Sequence, residues 1–430
     1  MPPLEPSEDK EEGREQAQEE LNSVGPRRGH AKYSIDAVAA SSTHVLSPQQ
    51  LQDWLHHRVS RQQCLSKKYF VSWRNWCTAA VHAIRSCLAQ ELPHPPCDAQ
   101  FGRLFYQLAQ GVDRGEMPSF AHPTARSAYA LEFFCRARLV ADLLLTKYHL
   151  GIAATMKRTC AREGQEDRSD YDAEEEEEDV YAQKFCPLSS TSTGTTGRTC
   201  RVLSLGGGPG YDYVGVLLAD WFGTCGHSTT TIQGTVLDYE EGWHDVVEAM
   251  NTATQTALQT SSCLQWGGTC DITQSLLDHP SNATNCLPLV DTTDVFICQY
   301  TIAENAHALR HSNYIFFQQL FQRAPTGSLI LLIEVTPRLW PDIVALLPPL
   351  DTDTTRFRID FCKARNRSNG PQLMIQKLSI TTISTSSTAL DRHNQRALEA
   401  CGEFRKLKQL HDRKMDAGFQ RQSRKVRGTK

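Results

Sequence analysis

Residues 201–221, "RVLSLGGGPGYDYVGVLLADW", carry the spacing best suited to holding a small molecule: an apolar run breaks into Gly206, Gly207, Gly208, Pro209 and Gly210 and resumes at helical intervals. Glycine takes left-handed backbone angles without steric cost and puts no Cβ in the way of a ligand. Two acids follow at useful places. Asp238 ends the apolar segment "TIQGTVLD", where a carboxylate can accept from both hydroxyls of a ribose; capping the next helix is the rival role. Asp271 follows "SCLQWGG" and can accept from an adenine amino group. A glycine turn alone also serves tight packing, but with these two acids it describes a pocket for an adenosine moiety. Glu304 and Asn305 in "CQYTIAEN" could orient or deprotonate a second molecule, or equally cap a helix, and Glu334 borders the mouth of such a pocket; no catalytic residue is assigned.

These residues need a frame. "CRVLSL", "TIQGTVLD", "SCLQWGG", "DVFICQY" and "SLILLIEV" are short and β-rich, and they are separated by helix-length stretches such as "YEEGWHDVVEAMNTATQTAL" and "HALRHSNYIFFQQLFQRA". Strand and helix alternating five times predict a parallel sheet with crossover helices. In such a sheet a ligand lies beyond the carboxyl ends of the strands, next to the first strand-to-helix turn. "RFRIDFCKA" and "PQLMIQKLSI" have no room for a helix between them and predict an antiparallel hairpin at the sheet edge. Tyr211, Val214, Leu217, Leu218 and Trp221 form the expected buried stripe of the helix after the glycines.

Upstream, residues 46–160 read as an all-helical module of four or five helices, opened by a cap, a first-turn proline and a capping-box glutamine in "SPQQLQDWL". Residues 1–45 are expected to be a disordered tail. Residues 163–179 hold eleven acids against one Arg; together with a Ser/Thr-rich stretch they mark 161–199 as a linker with nothing to bury. The α/β domain spans 200–380. Residues 391–430 hold twelve Lys or Arg against five acids, so the tail, 381–430, is expected to be basic and partly helical, either a footprint for RNA or another polyanion or a solvated charged helix with a frayed end. The 15 cysteines include no C-x-x-C pair, which predicts no metal site. No apolar run approaches membrane-span length and no targeting signal opens the chain, so the expectation is a soluble intracellular protein, cytoplasmic or nuclear.

The glycine spacing is G-x-G-x-G. A dinucleotide site prefers G-x-G-x-x-G, and counting from Gly206 or Gly208 the third glycine falls on Tyr211 or Tyr213. With Asp238, Asp271 and the terminal hairpin, residues 200–378 resemble the class I S-adenosylmethionine-dependent methyltransferases. That resemblance implies a Rossmann-like seven-stranded sheet, five parallel strands plus the hairpin, and S-adenosylmethionine as cofactor. It implies that Gly206, Gly207, Gly208 and Gly210 line the methionine portion, that Asp238 holds the ribose, that Asp271 and Ile272 flank the adenine, and that Gln299 and Tyr300 face the methyl group. The interval from Gly210 to Asp238 is longer than the family's, and "GTCGHSTTT" accounts for it as a loop insertion. "QYTIAEN" and "LIEVTP" are also similar to the ribosome-associated methyltransferases of the mitochondrial small subunit, whose cysteine cluster this chain lacks. The implied partner is a macromolecular acceptor, with RNA or ribosomal particles ahead of protein. The competing functions are a catalytically silent fold that binds a ribonucleoprotein or protein, and an NAD-dependent oxidoreductase, whose cofactor ribose would also suit Asp238.

Overall fold

The computed structural model describes residues 67–95, 120–148, 198–223, 230–348, 355–362, 370–379 and 387–428. The expected N-terminal tail, the helix opening at Ser47, the acidic run, most of the "GTCGHSTTT" insertion and the hairpin turn lie outside these residues.

Among the described residues three helices precede the sheet: α1 (Lys67–Glu91), α2 (Pro123–Glu132) and α3 (Cys135–Tyr148). The helical run from Ala125 to Tyr148 is broken at Phe133–Phe134, where α2 closes with a bond from Phe133 N to Tyr129 O. The expected strands follow. They are β1 (Arg198–Leu205), β2 (Thr230–Asp238), β3 (Cys263–Thr269), β4 (Val295–Gln299), β5 (Leu329–Ile333), β6 (Thr355–Cys362) and β7 (Gln372–Ser379). Strand β1 starts two residues inside the stretch expected as linker. The main crossover helices are α4 (Tyr211–Gly223), α5 (His244–Leu258) and α6 (Ile315–Arg323), and α7 (Ser387–Gly428) ends the chain.

All seven strands form one sheet in the order β3-β2-β1-β4-β5-β7-β6. The first five run parallel, while β7 pairs antiparallel with both β5 and β6. The order reverses between β2-β1 and β4-β5, which opens a crevice above the carboxyl ends of β1 and β4. Side chains alternate with period two. Val202, Ile297 and Leu331 pack on the face covered by α1, α3, α4 and α5. Leu203, Phe296 and Leu332 pack on the other, against α6, Trp340 and α7.

Two elements depart from the sequence expectation. Helix α4 is buried from Tyr211 through Trp221 rather than along a stripe, because α3 covers its outer face. Gly215 permits the approach: a Cβ there would stand 2.5 Å from Val140 Cβ and 2.6 Å from the Ala137 carbonyl. The stretch "HALRHSNYIFFQQLFQRA" is two helices, Ala306–His311 and α6, because Asn313 and Tyr314 both take left-handed angles.

Candidate functional site

A cavity of about 550 Å³ opens at the reversal point, within the usual range for a small-molecule site. Its floor is the loop between β1 and α4. Gly206, Gly208 and Gly210 all have positive φ, at 64°, 50° and 87°. At Gly206 and Gly210 the space the missing Cβ leaves is taken by the protein itself, whereas a Cβ on Gly208 would have room, its nearest neighbour being Trp243 at 3.6 Å. A Cβ on Gly206 would lie 2.6 Å from the Thr301 side chain, and one on Gly210 would lie 2.6 Å from Leu264. The bareness of Gly206 and Gly210 therefore serves packing of the loop between β2, β3 and the β4 loop. Gly210 lies outside the cavity lining, whereas Gly206, Gly207 and Gly208 are part of it.

Asp238 is the last residue of β2 and fastens this floor. Its Oδ2 accepts from Gly208 N at 2.9 Å and its Oδ1 from Glu240 N at 3.1 Å. The Tyr239 amide also bears on the carboxylate, which keeps lone-pair capacity for a further donor. Burial pushes the carboxyl up to about 6, against the pull of the Glu240, Gly208 and Tyr239 amides. Asp271 lines the cavity too, but its Oδ1 is engaged locally, accepting from Thr273 N at 2.9 Å and Thr273 Oγ1 at 2.6 Å. Its backbone is held from both sides by Asn282, through Asp271 N to Asn282 Oδ1 and Asn282 Nδ2 to Asp271 O, each 2.8 Å. Ile272 is buried beside it.

The far wall comes from β4. Gln299 donates through Nε2 to the Arg136 carbonyl at 3.2 Å. Tyr300 follows in the left-handed region, φ 62°, an unusual conformation for a bulky residue. Tyr300 N donates to Ile333 O at 2.8 Å, and the single proton of the neighbouring Thr301 hydroxyl lies between Gly206 O at 3.3 Å and Gln299 O at 3.2 Å. Glu334, expected at the mouth, is instead 1% exposed and outside the lining. It accepts from Ala303 N at 2.9 Å, capping the short helix Thr301–Glu304, and burial raises its carboxyl to about 7. At the rim, Glu304 keeps surface open to solvent, yet enough protein surrounds its carboxyl to raise it above the ordinary range, against the pull of Arg136.

The roof comes from the aromatic- and Arg-rich helical module, whose composition suits a lid, although none of its residues is among the expected site residues. Phe120, Tyr129 and Arg136, all from the helical module, line the cavity together with Trp243. Phe120 stacks on Trp243 with centroids 5.0 Å apart and Tyr129 lies 5.7 Å from the same ring. Arg126 ties this cover down, donating to Phe120 O at 2.6 Å and Ala121 O at 3.0 Å and facing Asp245 of α5 at 3.6 Å. Arg136 lies over the Tyr300 ring at 4.4 Å, flanked by Phe133 at 4.8 Å and Tyr129 at 5.1 Å, and donates to the Tyr129 hydroxyl. Asp212, in the first turn of α4, is a second residue that sequence reasoning misses, because a lone first-turn acid reads as a dipole partner. It lies on the cavity floor, 1% exposed, accepting from Ser204 Oγ. Five carboxylates (Asp212, Asp238, Glu240, Asp271, Glu304) thus line the cavity against a single cation, Arg136. Among the described residues no group of His, Cys, Asp and Glu is arranged to hold a metal, and no helix is long and apolar enough to cross a membrane.

No family model matches the chain, and no curated protein matches it. Solved structures similar to it include an rRNA methylase from Streptococcus thermophilus, 11% identical, covering 42% of this chain and 88% of that one at a TM-score of 0.27. A putative methyltransferase from Streptococcus mutans in complex with SAH is 11% identical, covering 46% and 97% at 0.27. A putative class I S-adenosylmethionine-dependent methyltransferase from Listeria monocytogenes is 12% identical, covering 70% and 88% at 0.31. At such scores the superpositions carry no weight of their own; the sheet does, with its order, its five parallel strands and its inserted antiparallel β7. The seven-stranded sheet, five strands parallel and the terminal hairpin antiparallel, is the fold that the sequence resemblance to the class I S-adenosylmethionine-dependent methyltransferases implies.

Proposed function

We propose that this protein is an S-adenosylmethionine-dependent methyltransferase acting on a macromolecule, with RNA or a ribosomal particle as the favoured acceptor. The observation that carries the reading is the charge of the cavity, five carboxylates around one guanidinium at the glycine turn. A ligand carrying a sulfonium and an ammonium is cationic there and is attracted. The pyrophosphate of NAD would meet like charge in a partly desolvated cleft, an arrangement that costs several kcal/mol. The cavity therefore favours the sulfonium cofactor over the dinucleotide.

When bound, the cofactor supplies an already activated methyl group, so the chain's task is alignment and exclusion of water. In this reading Asp238 accepts from the ribose hydroxyls through its remaining lone-pair capacity, and the turn Asp271–Thr273 with Ile272 borders the adenine. Gly206, Gly207 and Gly208 run along the methionine portion. Gln299 and Tyr300, fixed by Thr301 and the Arg136 carbonyl, form the wall next to the transferred group, and the aromatic roof keeps water out. Glu304, at the rim with a raised carboxyl, is placed to take a proton from an acceptor entering there. The RNA preference is supported by the basic end of the chain, twelve Lys or Arg against five acids over residues 391–430, which supplies sequence-independent phosphate affinity.

The test is calorimetry with S-adenosylmethionine, S-adenosylhomocysteine and NAD, followed by incubation of the protein with labelled methyl donor and fractionated cell RNA, ribosomes and protein. Binding of the sulfonium cofactor and label in the RNA or ribosomal fraction are expected. Binding of NAD alone would end the reading. Cofactor binding with no label in any fraction would leave the catalytically silent alternative standing.

A further inference from the structure

The cavity opens at the carboxyl edge of the sheet, and α7 carries a basic helix to that same edge. Strand β7 is antiparallel to both β5 and β6, so β6 runs in the direction of β5 and ends where β1 to β5 end. Helix α7 follows β6 along its length. Asp391 pairs with Arg356 at 3.0 Å near the start of the strand, Asn394 bonds to Phe357 and Ile359 in its middle, and Phe404 meets Phe361 edge-on near its end, with centroids 5.0 Å apart. One turn later Lys408 reaches Asp342 on the short helix Trp340–Val344, which follows β5. There α7 leaves the body: Leu407 is 50% and Leu410 53% exposed, and Arg413 is exposed as well. The stretch from there to Gly428 adds about 30 Å of helix at 1.5 Å per residue. Residues 410–430 hold seven Lys or Arg against two acids.

Asp342 links this helix to the cavity rim. It accepts from Lys408 Nζ at 2.6 Å and from the Tyr314 hydroxyl at 3.2 Å, and it faces Arg310 at 3.8 Å. One carboxylate is thus shared by two cations, and the cluster keeps a positive charge. Arg310, its side chain 49% exposed, lies on the helix Ala306–His311, two residues after Ala308 of the cavity lining. From β4 to β6 is three strand spacings, about 14 Å.

We propose that Arg310 and the projecting end of α7 form one cationic track that holds the acceptor RNA and leads it to the mouth of the cavity. This rests on the methyltransferase reading with an RNA acceptor and adds to it the docking surface and the direction of approach. Helix α7 packs on the sheet face opposite the helical module, so the strand comes in from the side away from the aromatic roof. Phosphates spaced along a chain match cations spaced along a helix, and neutralising them releases counterions whatever the sequence.

The experiment titrates a dye-labelled, mixed-sequence single-stranded RNA with the full-length protein, read by fluorescence anisotropy across a salt series, with polyglutamate as the comparison polyanion. Arg310→Gln is expected to weaken RNA about threefold, and Arg413→Gln together with Lys414→Gln about tenfold, as one and two phosphate contacts are lost near physiological salt. Combined, the effects should multiply, and the slope of log K against log salt should become shallower by about 0.7 for each contact removed. Arg310→Lys keeps the charge and is expected to bind RNA as the wild type does, which separates charge from packing at Asp342. Affinity for S-adenosylhomocysteine, by calorimetry, should stay within about twofold in every variant. Unchanged RNA affinity in either Arg310→Gln or the α7 variant, or tighter binding of polyglutamate than of RNA, overturns the track and leaves the cofactor reading intact. Failure of the wild type to bind S-adenosylhomocysteine overturns the methyltransferase reading, and with it the acceptor role of the track.

Discussion

At the residue scale, Asp238 joins structure and site in one carboxylate, since the same oxygens that would meet a ribose also hold Gly208 and Glu240. Asp238→Asn would present an amide donor to one of those N–H groups. It is expected to cost about 1–3 kcal/mol of stability and to weaken S-adenosylhomocysteine roughly tenfold or more, read by thermal unfolding and calorimetry. Burial raises Asp212 and Asp238 to about 6 and Glu334 to about 7. A carboxyl whose pKa is higher folded than unfolded favours the fold below its unfolded value and loses that contribution as pH rises through its folded one. The ligand-free protein is therefore expected to unfold at a higher denaturant concentration at about pH 5.5 than at about pH 8, with Glu334→Gln flattening the upper part of that dependence. Cofactor affinity should run the other way, because a cationic ligand needs the carboxylates ionised: a fall of roughly tenfold from about pH 7.5 to about pH 5.5 is expected for two groups titrating near 6. A midpoint and an affinity that move in the same direction would refute the burial account.

At the element scale, the packing of α3 on α4 and of α7 on β6 holds the site in place. Gly215→Leu would drive a side chain into Val140 and the Ala137 carbonyl and is expected to cost about 1–3 kcal/mol in denaturant unfolding. Because Arg136 lies on α3 beside those residues, the same variant should weaken S-adenosylhomocysteine although Gly215 is outside the cavity lining. On the far edge, Asn394 of α7 is buried, accepts from Ile359 N at 3.1 Å and donates to Phe357 O at 2.7 Å, filling hydrogen bonds that edge strand β6 would otherwise leave open. Much at this scale is legible in the sequence. All seven strands follow from short apolar runs, and the hairpin from a gap too short for a helix. Three things are not. The break at Asn313–Tyr314 depends on left-handed angles that helical spacing does not report. The all-round burial of α4 depends on α3. The aromatic and guanidinium roof of the site depends on pairing segments that stand far apart in sequence, such as Arg136 with Gln299 and Tyr300, and no local pattern announces such pairings. Gly210 shows the opposite error. Its spacing points to the ligand loop, and the packing of Leu264 accounts for it instead.

At the scale of the whole molecule, charge is divided between an acidic cavity and a basic chain end. Helix α7 is anchored on the sheet by Ala397, Cys401 and Phe404 and by Lys408, whose Nζ lies 2.6 Å from Asp342. Beyond that anchor, residues 410–430 carry seven of the twelve Lys and Arg counted from 391 onward. In the proposed reading, positive charge at that end cannot serve the cavity, whose ligand would be cationic, but it can draw a polyanion to the protein while the methyl donor occupies its own acidic cleft. Removing residues 410–430 is thus expected to leave S-adenosylhomocysteine affinity and the unfolding midpoint nearly unchanged. The same truncation should lower RNA affinity and make the slope of log K against log salt shallower by about 0.7 for each phosphate of single-stranded RNA that is no longer neutralised. Filter binding across a salt series reads that slope directly. An unchanged slope after truncation would move the RNA-binding surface elsewhere, and an absence of salt dependence in the full chain would remove the electrostatic case for an RNA acceptor.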